Sequence, residues 1–469
     1  MQSRTGGSIV ASVQAAPRLA STAHPRRAPG PPGVFGYANV RIMEQRPLSG
    51  MMELRETYGD VARMRLFGLE AMLISHPEGV RHILQERHTV YTKQNQDYKM
   101  LARVLGQGLV TSDGALWKQQ RRLIQPAFHK EKIRGFAALM GREAEASTER
   151  LSAAAHAGQV VDIVAEAKRT ALDIVVQALI GVDAGSDSDR FGETFSRLNE
   201  LITAQFTSVL GRLPWLPTKG NRTLRSAKLE MDRMVESIIA RRRAAGIEGN
   251  DLLGMLLASR DEDTGKGMSD EQLRDEVTTL IAAGHETTAM TLGWTIYLLG
   301  RHPEIARQVA DEARSVLGGR TAGYDDLEKL ELTRRVIEES LRIYPPAWAV
   351  SRTPSEEDEI GGFRVPKRSL VFLSQWVTHR HPEFWPDPER FDPDRFTPEA
   401  SATRPRFAHF PFLMGPRMCI GFAFAAMEAR IVLATWLSRL RLPLADDRVV
   451  EPDPLVTIQP KGGVWVRPQ

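Results

Sequence analysis

The chain keeps a single cysteine, Cys419, in 469 residues. One thiol excludes an internal disulfide, so the fold does not rely on an oxidising compartment, and that thiol is either inert core or chemistry. Long hydrophobic runs are also missing. The most apolar stretch, "LIAAGHETTAMTLGWTIYLLG", carries His285 and Glu286 near its centre, which argues against a membrane span. Neither G-x-G-x-x-G nor G-x-x-x-x-G-K-[ST] occurs, so no nucleotide or flavin domain is expected within the chain.

Acidic residues are absent from the first 43 positions, which hold Arg4, Arg18, Arg26 and Arg27 among several serines. Organellar transit peptides share that pattern. The same Ala/Arg/Gly/Pro bias runs through the whole chain, so the reading taken is a disordered extension over residues 1–30. "HPRRAPGPPGVFG" then forms a stiff lead-in. No Pro/Gly/Ser linker divides the rest of the chain, and residues 31–469 are expected to form one catalytic domain.

Lys plus Arg exceed Asp plus Glu only by 62 to 58, and "ARRRAAG" reads as a solvated helix end, so no nucleic-acid partner is implied. A hydrophobic fraction of 42% with 26% charge is ordinary for a globular protein. Helical periodicity dominates from about residue 50 to 350, with strand-like patches at 61–76 and 455–468, which makes the fold class mainly α with small β-sheets.

One helix is well marked. Ser269 and Gln272 form a capping box, and the apolar pattern runs from there to Gly300, about 45 Å at 1.5 Å per residue. A helix of that length crosses the body of the protein, so its middle, "AAGHETT" from Ala282 to Thr288, should be buried, and buried polar groups need a reason. Gly284 is expected to loosen the helix, and a local widening to open a small pocket beside Glu286 and Thr287. The plain alternative has Thr287 bonded to its own i−4 carbonyl and Glu286 reaching outward.

A second helix, "LELTRRVIEESLRIYPP", stops at Pro345 and carries Glu339 and Arg342 one turn apart. Irregular, proline- and aromatic-rich text follows from His381 to Phe396. His379 and His381 form H-x-H without a third ligand at a convincing spacing, so no zinc site is expected.

In "FLMGPRMCIG", Phe412, Gly415, Arg417, Cys419 and Gly421 follow F-x-x-G-x-R-x-C-x-G, and an amphipathic helix comes next. The glycines let backbone approach a flat cofactor, and amides at a helix start favour a thiolate. Such a thiolate can ligate haem iron. A lone buried cysteine is ordinarily inert, but five specified residues at fixed offsets arise by chance less than about once in a million positions.

This segment resembles the haem-ligand signature of the cytochrome P450 family, and the resemblance extends over roughly residues 25–469. It implies a cytochrome P450-like fold around a buried haem b, with Cys419 as axial ligand. O2 would be co-substrate, and NAD(P)H would serve indirectly through a reductase system. "AGHETT", including Ala283 and Gly284 against the haem, resembles the family's oxygen-activation motif, which implies Thr287 as hydrogen-bond partner of bound dioxygen or hydroperoxide and Glu286 as a member of the proton relay. E-x-x-R together with F-x-P-x-R-F implies a structural triad of Glu339, Arg342 and Arg395. W-x-x-x-R implies propionate contacts from Trp117 and Arg121, with Arg352 and Arg417 as further cofactor-binding candidates. The family usually carries glycine or a small residue where this chain has Leu413 and Met414.

By the same resemblance the substrate pocket is lined from residues 92–110, 200–215, 279–287, 346–351 and 455–459, with Phe206, Trp348, Val350, Leu455 and Ile458 making it apolar. Fatty acids, terpenoids, steroids and polyketides are all candidate substrates, and the motif wording leans toward fatty acids. A cytoplasmic monomer is expected, with electrons from a ferredoxin or flavodoxin-like donor received near Lys118, Arg122 and Arg430. A peroxide-driven peroxygenase, a dioxygen-independent isomerase and a haem sensor remain open as alternatives.

Overall fold

The computed structural model describes residues 25–33, 36–180, 215–244, 251–261 and 265–469, with 193–195, 197–198, 200–202, 204 and 213 between them. Among these, the helices that position the site are α1 (Gln96–Leu105), α2 (Gly114–Ile124), α3 (Ile163–Ile180), α4 (Asp270–Arg301), α5 (Glu331–Ile343) and α6 (Phe422–Arg439). The main sheet contains β1 (Val61–Leu66), β2 (Leu69–Ile74), β3 (Tyr91–Thr92), β4 (Val350–Pro354) and β5 (Leu370–Leu373), in the order β1-β2-β5-β4-β3. Of its neighbouring pairs, only β2 and β5 run parallel. A separate small ladder pairs β6 (Pro452–Pro454) with β7 (Ile458–Pro460).

The stretch expected as one strand-like patch at 61–76 is a hairpin. Leu66 pairs with Leu69 across Phe67 and Gly68, both at positive φ (51° and 81°), the two-residue turn whose twist matches the strands it joins. At the other end, 455–468 holds two short strands with different partners. β7 pairs with β6, while Trp465–Val466 pairs with Val161–Asp162. The stretch read as a disordered extension is partly built into the fold, since Arg26 and Arg27 form a strand against Phe363 and Arg364 and the Pro29 carbonyl accepts from the Arg63 amide at 2.8 Å.

α4 is the axis of the molecule. Its 32 residues span about 48 Å at the helical rise, and Ser269 caps it by accepting from the Gln272 amide at 3.2 Å. It is buried on almost all sides, which a helix achieves only when neighbours surround it. α3 comes closest. A methyl on Gly284 would sit 2.9 Å from Val175, and one on Gly293 2.8 Å from Val164. Gly284 therefore serves close helix packing. α4 runs as unbroken α-helix through "AAGHETT", so the expected local widening does not occur.

Glu339 and Arg342 of α5 are fully buried and joined by two hydrogen bonds of 2.7 Å. Arg342 also donates to the carbonyls of His379, Pro388 and Arg390, and Glu339 accepts from the Asp392 amide at 3.0 Å. Arg395 stands 3.4 Å from Glu339, whereas Arg390 is mostly exposed and pairs with Asp392. Glu339, Arg342 and Arg395 thus lie together, and the bonds of Arg342 and Glu339 tie the irregular 381–396 segment to α5. His379 accepts from the Phe410 amide, and His381 lies between Asp60 and Arg55, so both histidines hold loops in place.

Candidate active site

Cys419 sits two residues before Gly421, which begins α6, in a loop shaped by its neighbours. Gly415 adopts φ +71°, and a Cβ there would lie 2.2 Å from the Leu84 carbonyl, so only glycine fits. Leu413 also occupies the left-handed region at φ +57°, a strain of roughly 1–2 kcal/mol for a residue with a Cβ. Leu413 and Met414 pack on the cluster containing Leu84 and Phe410, which offsets that strain. Gly421 is different, since an added Cβ would meet Cys419 Sγ at an ordinary 3.9 Å. The Cys419 amide donates to the Phe412 carbonyl at 2.8 Å, and the Phe412 ring packs edge-on against Phe422 at 5.0 Å.

The Cys419 side chain presents accessible surface, so its sulfur faces a cleft beside the loop rather than packed core. Burial pushes its thiol up, and this outweighs the amides of Gly421 and Phe422 and the charge of Arg121, which act in the opposite direction. A thiolate here calls for a cation bound directly to sulfur, and a coordinating metal deprotonates such a thiol.

Between residues 275 and 299 of α4, only Ala283, Gly284 and Thr287 are more than marginally accessible. These positions share one helical face. The Thr287 hydroxyl donates to the Ala283 carbonyl at 2.7 Å, as the plain alternative has it. Glu286 does not reach outward. It is buried and accepts from Gln459 Nε2 at 2.5 Å.

Cations converge on one side of the cleft. Arg352 donates to the Tyr98 hydroxyl at 2.7 Å and to the Ser351 carbonyl, while its Nη2 is buried without a hydrogen-bond partner. The Arg417 guanidinium lies 3.6 Å above the Trp117 ring and pairs with Asp113. Arg121 donates to the Met418 carbonyl at 2.9 Å, which fixes it to the cysteine loop.

Lys93 joins them, capping the Leu109 and Val110 carbonyls at 3.3 and 2.8 Å. Burial, followed by repulsion from Arg352 and Arg417, holds its ammonium well below the ordinary lysine range. Asp113 supplies one counter-charge. Burial pushes the nearby Glu276 carboxyl up to about 8, so at neutral pH it adds little negative charge. These desolvated basic groups, with an unpaired Nη2 on Arg352, suit a carboxylate-bearing ligand. A group that also carried a metal ion would meet the thiol as well.

Lys93 and Tyr98 were not singled out from the sequence. They lie more than 250 residues from Arg352, and only the fold unites them. The expected pocket residues divide. Trp348 donates from its indole to the Leu455 carbonyl at 3.0 Å, joining two of the expected wall segments, and Val350 is partly accessible on β4. Ile458 is not a wall residue. Its side chain is fully buried in the main core, and its carbonyl accepts from Trp294. Phe206 lies outside the described residues. The expected docking cations change as well: Lys118 is exposed, but Arg122 pairs with Asp261, and Arg430 is half-buried against the Ala426 and Leu327 carbonyls.

A helical body organised around such a cleft is that of a haem-thiolate enzyme. The family model described as Cytochrome P450 matches residues 28–466, and the chain belongs to that family. It is 34% identical to cyclooctatin synthase of Streptomyces melanosporofaciens over 93% of this chain and 95% of the relative. It is 36% identical to pentalenene oxygenase of Streptomyces avermitilis over 92% and 94%. The crystal structure of the cytochrome P450DA heme domain superimposes with a TM-score of 0.85 at 27% identity, covering 95% of this chain and 98% of that one. The protein is accordingly a haem- and O2-dependent monooxygenase that takes electrons from a redox partner and acts on an apolar substrate. Among the described residues no helix is long and apolar enough to cross a membrane.

Proposed function

We propose that the enzyme hydroxylates or epoxidises an olefinic terpenoid hydrocarbon or alcohol. The names of its relatives support this class over the fatty acids toward which the motif wording leaned: pentalenene oxygenase, and cyclooctat-9-en-7-ol 5-monooxygenase of S. melanosporofaciens, 35% identical over 88% of this chain. The carrying observation is the accessible strip of Ala283, Gly284 and Thr287 midway along a largely buried helix, in a chain whose lone thiol is also accessible.

Cys419 would bind the haem iron through its sulfur in this reading. Lys93, Arg352 and Arg417 would hold the propionates, with Trp117 stacked against Arg417 and Arg121 bracing the cysteine loop. Phe412, Gly415 and Gly421 shape the surface against the ring. Haem b, when bound, supplies dioxygen activation and oxygen transfer. The Thr287 hydroxyl, with its proton committed to the Ala283 carbonyl, offers lone pairs toward the cleft, and Glu286 relays protons to it. Trp348, Val350 and Leu455 exclude water and orient the apolar substrate.

A ferredoxin or flavodoxin-like donor, fed by an NAD(P)H reductase, docks near Lys118. Residues 31–469, with the strand at Arg26 and Arg27, act as one catalytic domain in a cytoplasmic monomer. Incubation with a panel of terpenoid alkenes, a surrogate ferredoxin system and labelled O2 is expected to place one labelled oxygen in the product. Labelled fatty acids formed in preference would overturn the substrate class. Arg352→Leu is expected to accelerate haem loss to apomyoglobin by about tenfold or more, the value of one charge-assisted hydrogen bond. An unchanged rate would remove Arg352 from the propionate site.

A further inference from the structure

Glu286 is reached from behind by two residues that neither sequence motif contains. Its Oε1 accepts from Gln459 Nε2 at 2.5 Å, and Gln459 Oε1 in turn accepts from Lys168 Nζ at 3.4 Å. The row crosses three elements: Glu286 on α4, Gln459 on β7 and Lys168 on α3. Lys168 is partly exposed, whereas Glu286 is buried, so the row runs from solvent to the acid.

Its polarity is consistent throughout. An ammonium has only donors and a carboxylate only acceptors, so the amide between them fits one way round, oxygen toward Lys168 and nitrogen toward Glu286. Flipping it would set oxygen against carboxylate and NH2 against ammonium. The frame is rigid as well. β7 is pinned beside Gln459 by Trp294 Nε1 donating to the Ile458 carbonyl at 3.1 Å and by the Ile458 amide donating to the Pro346 carbonyl at 3.0 Å. α3 lies close to α4 because Gly284 and Gly293 have no side chain.

We propose that Gln459 is a positioning residue for Glu286, and that the Lys168 edge of α3 and β7 is where protons enter the site. The proposal rests on the proton-delivery role given to Glu286 above. A primary amide does not carry a net proton. Gln459 therefore acts by fixing the carboxyl group from which the proton leaves, and Lys168 by fixing the amide.

The test uses the haem-loaded full chain and two variants, Gln459→Leu and Lys168→Met. In resting protein, the infrared carboxyl band of Glu286, assigned by its loss in Glu286→Gln, should move in Gln459→Leu, a readout that needs no turnover. During turnover, the share of electrons recovered as hydrogen peroxide should rise at least threefold and the solvent isotope effect should grow, with the carbon monoxide spectrum unchanged. Lys168→Met should shift both turnover readouts in the same direction by less, and decides the matter if Gln459→Leu does not fold. An unmoved band with unchanged coupling and isotope effect would overturn the proposal. If Glu286→Gln itself leaves coupling intact while the Gln459→Leu band moves, the contact stands and the role given to Glu286 fails instead.

Discussion

Replacing Glu339 by alanine is expected to cost about 3–5 kcal/mol, because it leaves Arg342 charged and fully buried with no carboxylate beside it. Whole-protein stabilities are about 5–15 kcal/mol, so the loss removes a large share of the margin and the denaturation midpoint and haem retention should fall sharply. The site tells why the loss is large. Arg342 converges on three backbone carbonyls in and beside the 381–396 segment, so the pair fixes a loop that has no sheet or helix ladder to hold it. Burial pushes the Glu339 carboxyl up even with Arg342 beside it, so the pair is sustained by its geometry rather than by electrostatic ease. Arg395→Ala should cost less, since its Nε lies 3.4 Å from Glu339 without a hydrogen bond and its guanidinium donates only from Nη2 to the Asp387 carbonyl at 2.8 Å. Haem content per folded protein and the denaturation midpoint check both, and equal losses for the two variants would contradict the ranking.

Thr287→Ala is expected to do the reverse, sparing the fold and damaging the reaction. Alanine is the better helix former, and the lost bond to the Ala283 carbonyl spans one turn of a helix already held on all other sides. Positioned proton transfer contributes about 10²–10⁴-fold. Product formation should fall by at least tenfold while O2 uptake continues, the electrons appearing as hydrogen peroxide. The denaturation midpoint and the substrate-induced spectral shift should stay near those of the parent protein. Product yield per electron is the measurement, and unchanged coupling would remove Thr287 from the proton path.

What could be read in the sequence was local. The cysteine loop is contiguous, so spacing alone exposed Phe412, Gly415, Arg417, Cys419 and Gly421. Likewise the cap at Ser269 and the long apolar pattern were enough to delimit α4. The Glu339–Arg342 pair is a helical neighbour relation, but its burial and its third member depended on resemblance.

The remainder depends on tertiary contact. Lys93 carries no motif, and its place among Arg352 and Arg417 comes from a loop anchored on α4, where the Gln107 and Leu109 amides donate to Asp275 and Glu276. Gln459 and Lys168 are 291 residues apart. Gly284 looked like a weak point in a helix, yet its cause is the Val175 side chain on α3, which sequence periodicity does not reveal. The strand-like reading of 455–468 gave no means of separating Leu455, which meets Trp348, from the buried Ile458 three residues on.

The reduced carbon monoxide difference spectrum of purified protein, measured for the parent and for Cys419→His, tests the central claim most directly. Thiolate ligation by Cys419 predicts the strongly red-shifted Soret band in the parent and its replacement in the variant by a band typical of histidine ligation. A histidine-type band in well-folded parent protein, or a red-shifted band that survives Cys419→His, would contradict it.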